Sequence, residues 1–269
     1  AFVQLGEAVA VAEQGARRTE QPAILRFALL FKLQLWLRTG TSTLDAAMAC
    51  LQMIHAIPAR RIQLEEIRLL ANEALLLAAR SDDDGVLQRA QEILDLSRNM
   101  QGGARIYPLA PLAVIIDAVL HVAGRRSAGD DHALVLARAL TRRYLKLAGG
   151  MQIFDARCCL YQGAMAALEG RCAEAVHQWH KGLDSCAPDD LLYDRARLHW
   201  LLSLHAPEAE RARHEAAAAG HFARCGVAGP PYPLLPLQGL GAAPVRQMRP
   251  ISNSISSTTT TSPSPPVGP

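Results

Sequence analysis

The sequence predicts an all-α fold, a right-handed α-solenoid of degenerate tetratricopeptide-like helical hairpins. Three observations carry that expectation. Apolar residues recur at helical spacing in every periodic segment before Gly226. Ala, Leu, Arg, Gln and Glu dominate while aromatics make up only 5 % of the chain, which is the composition of helices. The segment Glu169 to Pro188 also carries the pattern of a tetratricopeptide hairpin. Its turn, Glu169-Gly170-Arg171, leads to Ala175, small enough to let two helices approach, then to the bulky Trp179, a second small position at Gly182 and a helix-ending Pro188.

Half of the 269 residues are apolar, so a sizeable core is available. Before Gly226 the prolines, Pro22, Pro58, Pro108, Pro111, Pro188 and Pro207, fall where helices should begin or end. Between these marks the spacing predicts hairpins near 23–55, 63–100, 109–148, 153–187 and 191–225.

The first hairpin follows Pro22. The second opens with a helix whose face carries Leu64, Ile67, Ala71, Ala74, Leu75 and Ala78, with Leu69, Leu70, Leu76 and Leu77 on further sides, as expected of a helix packed between its own partner and the next repeat. In the third, Leu112, Ile115, Ile116, Val119, Leu120 and Ala123 form one face, and the returning helix carries Leu136, Leu140, Tyr144 and Leu147. The fourth holds the tetratricopeptide pattern. The fifth follows Asp189-Asp190. The acidic runs Asp82-Asp83-Asp84, Asp130-Asp131 and Asp189-Asp190 read as helix caps, because a carboxylate accepts from free N–H groups and meets the positive end of the helix dipole. Successive units start about 40 residues apart rather than the 34 typical of tetratricopeptide repeats, hence degenerate repeats. The structural repeat positions are Gly163, Ala175, Trp179, Gly182, Pro188, Ala196 and Phe222.

Composition changes near Gly226. Ten of the 16 prolines lie at or after Pro230 and no acid follows Glu215, which predicts a helical-repeat domain over 1–226 and a Pro/Ser/Thr-rich disordered tail over 227–269. Within the tail, the leucines of 230–241 could cover the open end of the last hairpin.

The formal charge of +3 is carried almost wholly by arginine, since Lys32, Lys146 and Lys181 are the only lysines. The pairs Arg60-Arg61, Arg125-Arg126 and Arg142-Arg143 lack the interleaved aromatics of a nucleic-acid module, so nucleic acid is not the expected partner. The N-terminus has no basic region ahead of its apolar residues, as a secretory signal would require, and the absence of an initiator Met fits a processed chain or a fragment. The apolar stretch Ile24 to Leu37 is broken by Arg26, Lys32 and Gln34 and is too short to span a membrane, so a soluble protein is expected. Six cysteines set within helical patterns suit reduced thiols and a cytoplasmic location.

Cys158, Cys159, Cys172 and Cys186, with His177, His180 and His199, are the one set in the sequence that could suggest a metal, but no C-x-x-C or H-E-x-x-H unit fixes a tetrahedral geometry. No phosphate-binding glycine loop occurs, and Gly124-Arg-Arg-Ser-Ala-Gly129 lacks both its spacing and its lysine. The sequence therefore predicts no catalytic, cofactor-binding or metal-ligating residue.

The stretch from Phe154 to Gly226 carries a family resemblance. The hairpin, then Leu191 to Leu204, with Tyr193-Asp194-x-Ala196-Arg197-x-His199 as the most specific part, then Arg211-x-x-x-Glu215-Ala216 through Phe222-x-x-x-Gly226, resembles the C-terminal helical repeats of large signalling ATPases, of which the soluble adenylyl cyclases are one branch. The resemblance carries no catalytic residue. Two functions follow as expectations: a non-catalytic scaffold for a protein or peptide partner, since stacked hairpins form a groove, or the C-terminal regulatory fragment of a class III nucleotidyl cyclase-like signalling enzyme. A carboxylate clamp built on lysines and asparagines is not expected, because Asn72 and Asn99 are the only asparagines before the tail.

Overall fold

A computed structural model describes residues 2–58, 63–98, 106–126, 131–186 and 191–227. The described residues form eleven α-helices and one short 3-10 turn, with no strand among them. Each predicted hairpin is present: α2 (Pro22–Thr39) with α3 (Leu44–Ala56), α4 (Gln63–Ala79) with α5 (Asp83–Arg98), α6 (Leu109–Arg125) with α7 (Asp131–Ala148), α8 (Asp155–Leu168) with α9 (Cys172–Asp184), and α10 (Leu192–His205) with α11 (Glu208–Cys225). A further helix, α1 (Phe2–Arg18), which the spacing does not assign, packs on α2.

The local signals explain the boundaries. Pro22 opens α2, where a missing N–H costs nothing. Thr43 caps α3 by accepting from the Ala46 N–H at 3.2 Å. Asp82 caps α5 through the Gly85 N–H at 3.0 Å, while Asp83 and Asp84 pair with Arg125 and Arg126 at the end of α6. The acidic run is thus both a cap and a clasp between hairpins, and it occupies one of the arginine pairs. The carbonyls that end α3 are met by Arg26, whose Nη1 donates to Ile54 and Ile57 at 2.8 and 3.2 Å.

The first helices of the hairpins, α2, α4, α6, α8 and α10, pack in succession, and the second helices lie against them. α6 is central to this row and is buried on all sides from Pro111 to Val122. Its neighbours are stitched to it and to each other by side chains reaching main-chain carbonyls: Asn72 to Leu30 at 3.2 Å and Tyr161 to Ala113 at 3.0 Å. Repeats that touch only their neighbours would leave the two ends of the row apart. Here Phe2 of α1 meets Tyr193 of α10 edge-on at 5.1 Å, and Val3 comes against Gly226. The row curls until its first and last members meet.

Of the positions singled out in the sequence, Gly163, Ala175, Trp179, Gly182, Ala196 and Phe222 are buried packing residues. Trp179 is fully buried and its Nε1 donates to the Leu160 carbonyl at 3.2 Å. A Cβ on Gly163 would lie 2.3 Å from that Nε1, so the indole fits only against a glycine. Gly182 brings α9 close to both neighbours, with Cys159 and Leu198 atoms 3.1 Å from where its Cβ would be. Ala175 is fully buried. Ala196 and Phe222 belong to a second, smaller apolar cluster with Trp200, Ala218, Cys225 and Val227. Val227, placed by the sequence in the tail, is therefore part of this packing. Pro188, the Asp189-Asp190 run and the rest of the tail lie outside the described residues, as does Arg60-Arg61.

This packing predicts that Trp179→Ala costs about 3–5 kcal/mol in denaturant unfolding, as truncation of a large core aromatic does. Gly163→Ala costs about 1–3 kcal/mol by overpacking the same contact. Surface-like behaviour of both variants would show the register of α8 on α9 to be wrong.

Candidate functional site

The buried polar groups converge where the row closes. Asp117 lies mid-way along α6 in an otherwise apolar run and is fully buried. Its Oδ2 is 2.6 Å from Nη2 of Arg38 on α2, and its Oδ1 accepts from Nη2 of Arg197 on α10 at 2.5 Å. Nη1 of Arg38 also donates to the Tyr193 hydroxyl at 3.2 Å. Beside this triad, Arg157 of α8 donates to Asp194 of α10 through Nε at 3.0 Å and Nη2 at 2.7 Å, a two-pronged pair. The Arg197 guanidinium lies near the rings of Tyr161 and Tyr193, with centroids at 6.0 and 5.7 Å.

Burial pushes the Asp117 carboxyl up, but Arg197 and Arg38 outweigh it and hold the group below the ordinary carboxylate range. Burial pushes the Tyr161 hydroxyl far above its ordinary value, with the Asp117 charge adding to it. The residues around this site are thus fixed as charged arginines, a charged aspartate and a neutral tyrosine.

A cavity of about 200 Å³ opens onto the network. Arg38, Asp117, Arg157 and Arg197 line it on the polar side, and Phe2 and Phe31 on the apolar side. Three guanidiniums face two carboxylates, Asp117 and Asp194, which leaves one positive charge in excess. Chemically the site can hold an anion. A carboxylate would meet planar N–H forks already held in place by their aspartates.

The cysteines and histidines that the sequence groups together do not assemble. Cys159 and Cys186 are buried in the packing, Cys158 is half-buried, and Cys172 and His177 are exposed. Burial pushes the thiols of Cys158 and Cys186 up to about 11, which leaves them as small packing groups rather than nucleophiles. A different group forms instead. His180 of α9 comes together with Glu210 and His214 of α11, with one ligand atom from each lying within 4.8 Å of the others. His199 of α10 touches His214 from behind, Nδ1 to Nδ1 at 2.9 Å. Burial, then His214 and His221, push the His199 imidazole down to about 4, so it is neutral at physiological pH.

Sequence reasoning missed Arg38, Asp117 and Arg157 as site residues. Tyr193, Asp194 and Arg197 appear in it only as carriers of the family resemblance. No helix of the described residues is long and apolar enough to cross a membrane. No protein-family model matches the chain, and comparison with curated proteins and with solved structures gave no match.

Removing the charge of Asp117 leaves two buried guanidiniums facing each other. Asp117→Asn is expected to destabilise the protein by about 3–5 kcal/mol at pH 7, the range for breaking one side of a buried ion pair. Because the folded pKa of Asp117 lies below its unfolded value, its contribution is complete above about pH 4 and is lost as the pH falls through the folded value. Urea unfolding of wild type and variant should thus differ by a constant amount from pH 8 to 5 and converge in stronger acid. A difference that grew toward acid pH would contradict the assignment.

Proposed function

We propose that the chain is a non-catalytic helical-repeat scaffold, an α-solenoid of tetratricopeptide-like hairpins, whose partner is a protein or peptide that presents a carboxylate side chain to the cavity between α1–α2 and α6, α8 and α10. The observation that supports this reading most is the excess of one guanidinium over the carboxylates in a cavity with an apolar wall. Such a charge, poorly solvated, is best met by an ionised acid held through paired N–H groups. The size points the same way: about 200 Å³ is below the roughly 300–1,000 Å³ of sites that take whole small molecules, and suits one inserted side chain. Affinity would then come from an acidic anchor surrounded by apolar contacts, the arrangement of a binding hot spot.

The alternative, a C-terminal regulatory fragment of a class III nucleotidyl cyclase-like signalling enzyme, draws on one observation. Tyr193, Asp194 and Arg197, which carry the resemblance, all belong to this network. Its partner would then be the catalytic portion of the parent enzyme, bound at the same surface.

The test is a pair of fluorescent peptide libraries, one with a fixed Glu between apolar random positions and one with Gln in its place, measured by anisotropy against the full chain. Glu peptides are expected to bind at least about tenfold more tightly than Gln peptides, a 1.4 kcal/mol difference. Arg157→Gln, which leaves the Asp117 triad intact, should erase the preference. Equal binding of the two libraries, or an acid preference untouched by Arg157→Gln, would overturn the proposal.

A further inference from the structure

The last two hairpins bring together a set of polar side chains away from the cavity. Glu210 and His214 are four residues apart on α11, so they share one face one turn apart. His180 reaches them from α9. His214 is only 2 % exposed. Its Nε2 is buried without a hydrogen-bond partner and stands 3.7 Å from Glu210 Oε2, beyond hydrogen-bond reach. Its other ring nitrogen, Nδ1, is already engaged by His199 at 2.9 Å. The ring of His221 in turn stacks on His199 at 5.5 Å and 18°. A buried imidazole is thus held from one side, with its other nitrogen 3.7 Å from a carboxylate and within 4.8 Å of a ring nitrogen of His180.

We propose that His180, Glu210 and His214 form a binding site for Zn²⁺ or a similar borderline divalent ion, with His199 as the residue that orients His214. The ligand set is two imidazoles and one carboxylate, a donor combination suited to zinc, with the fourth position taken by water. Metal–ligand bonds of about 2.0–2.2 Å in a tetrahedron place donors roughly 3.3 Å apart. The 3.7 Å from His214 to Glu210 is within a few tenths of an ångström of that, and no ligand atom need be more than 4.8 Å from another before closure. His180 and Glu210 are only half-buried, which leaves their side chains room to rotate inward. Nδ1–H of His214 would donate to Nδ1 of His199 and leave Nε2 for the ion, the arrangement by which ligating histidines are fixed in one tautomer. A bound ion would join α9 to α11, which otherwise meet mainly through their common packing on α10.

The experiment uses the full chain, stripped with a chelator and titrated with Co²⁺ by visible absorption and with Zn²⁺ by competition against a chromophoric chelator. One equivalent should bind, with a cobalt spectrum of nitrogen and oxygen ligands, and Zn²⁺ should raise the melting temperature. His180→Gln and Glu210→Gln, both half-exposed and so compatible with folding, should each weaken binding about tenfold or more and remove the thermal shift. The exposed neighbour His177→Gln should leave both unchanged. The proposal is overturned by the absence of saturable binding, by a thiolate-to-cobalt charge-transfer band, or by binding that survives both ligand variants.

Discussion

The closure of the fold depends on one buried carboxylate. Asp117 sits in α6, the helix most completely covered by its neighbours, where an ionised group cannot exist without matched charge. The charge comes from Arg38 in the first hairpin and Arg197 in the last, so the same residue that would otherwise be intolerable fixes how far the row of helices must curl. A buried ion pair of this kind adds little net stability compared with well-packed apolar side chains, because desolvation offsets most of the attraction. Its effect lies in what it forbids. An arrangement with the first and last hairpins apart would leave Asp117 facing only one guanidinium or none, and the arginines buried without their partner.

The small residues set the spacing within which that network can form. Gly163 allows Trp179 to lie directly on α8, and Gly182 lets α9 approach α8 and α10 together. Tyr161, next to Leu160 and two residues before Gly163, reaches the main chain of α6 and presents its ring to Arg197. Packing of the fourth hairpin and the geometry of the cavity are therefore linked through α8.

How much of this was legible in the sequence depends on distance along the chain. The five hairpins were, because proline punctuation and helical apolar spacing are local signals, and Trp179, Ala175 and Gly182 stand in one such segment. α1 was not: only Val9 and Ala16 of its residues are fully buried, so its spacing carries little of the pattern that marks the others. The cavity was not, because Arg38, Asp117, Arg157 and Arg197 come from four helices, and no spacing rule joins positions that far apart. One trace was present. An aspartate inside Leu112 to Val122, where every neighbour but His121 is apolar, requires a charged partner from elsewhere in the fold. The histidine cluster was half legible: Glu210 and His214 have the helical spacing, but His180 lies thirty residues back on another helix, and the cysteines that the sequence groups with it are not among the ligands.

The central claim is that first and last hairpins are energetically coupled through Asp117, and a double-mutant cycle on Arg38→Met and Arg197→Met measures that coupling most directly. The closed arrangement predicts unfolding free energies that depart from additivity by about 0.5–3 kcal/mol, as for residues sharing one network. Additivity within about 0.5 kcal/mol, the behaviour of distant and independent sites, would contradict it.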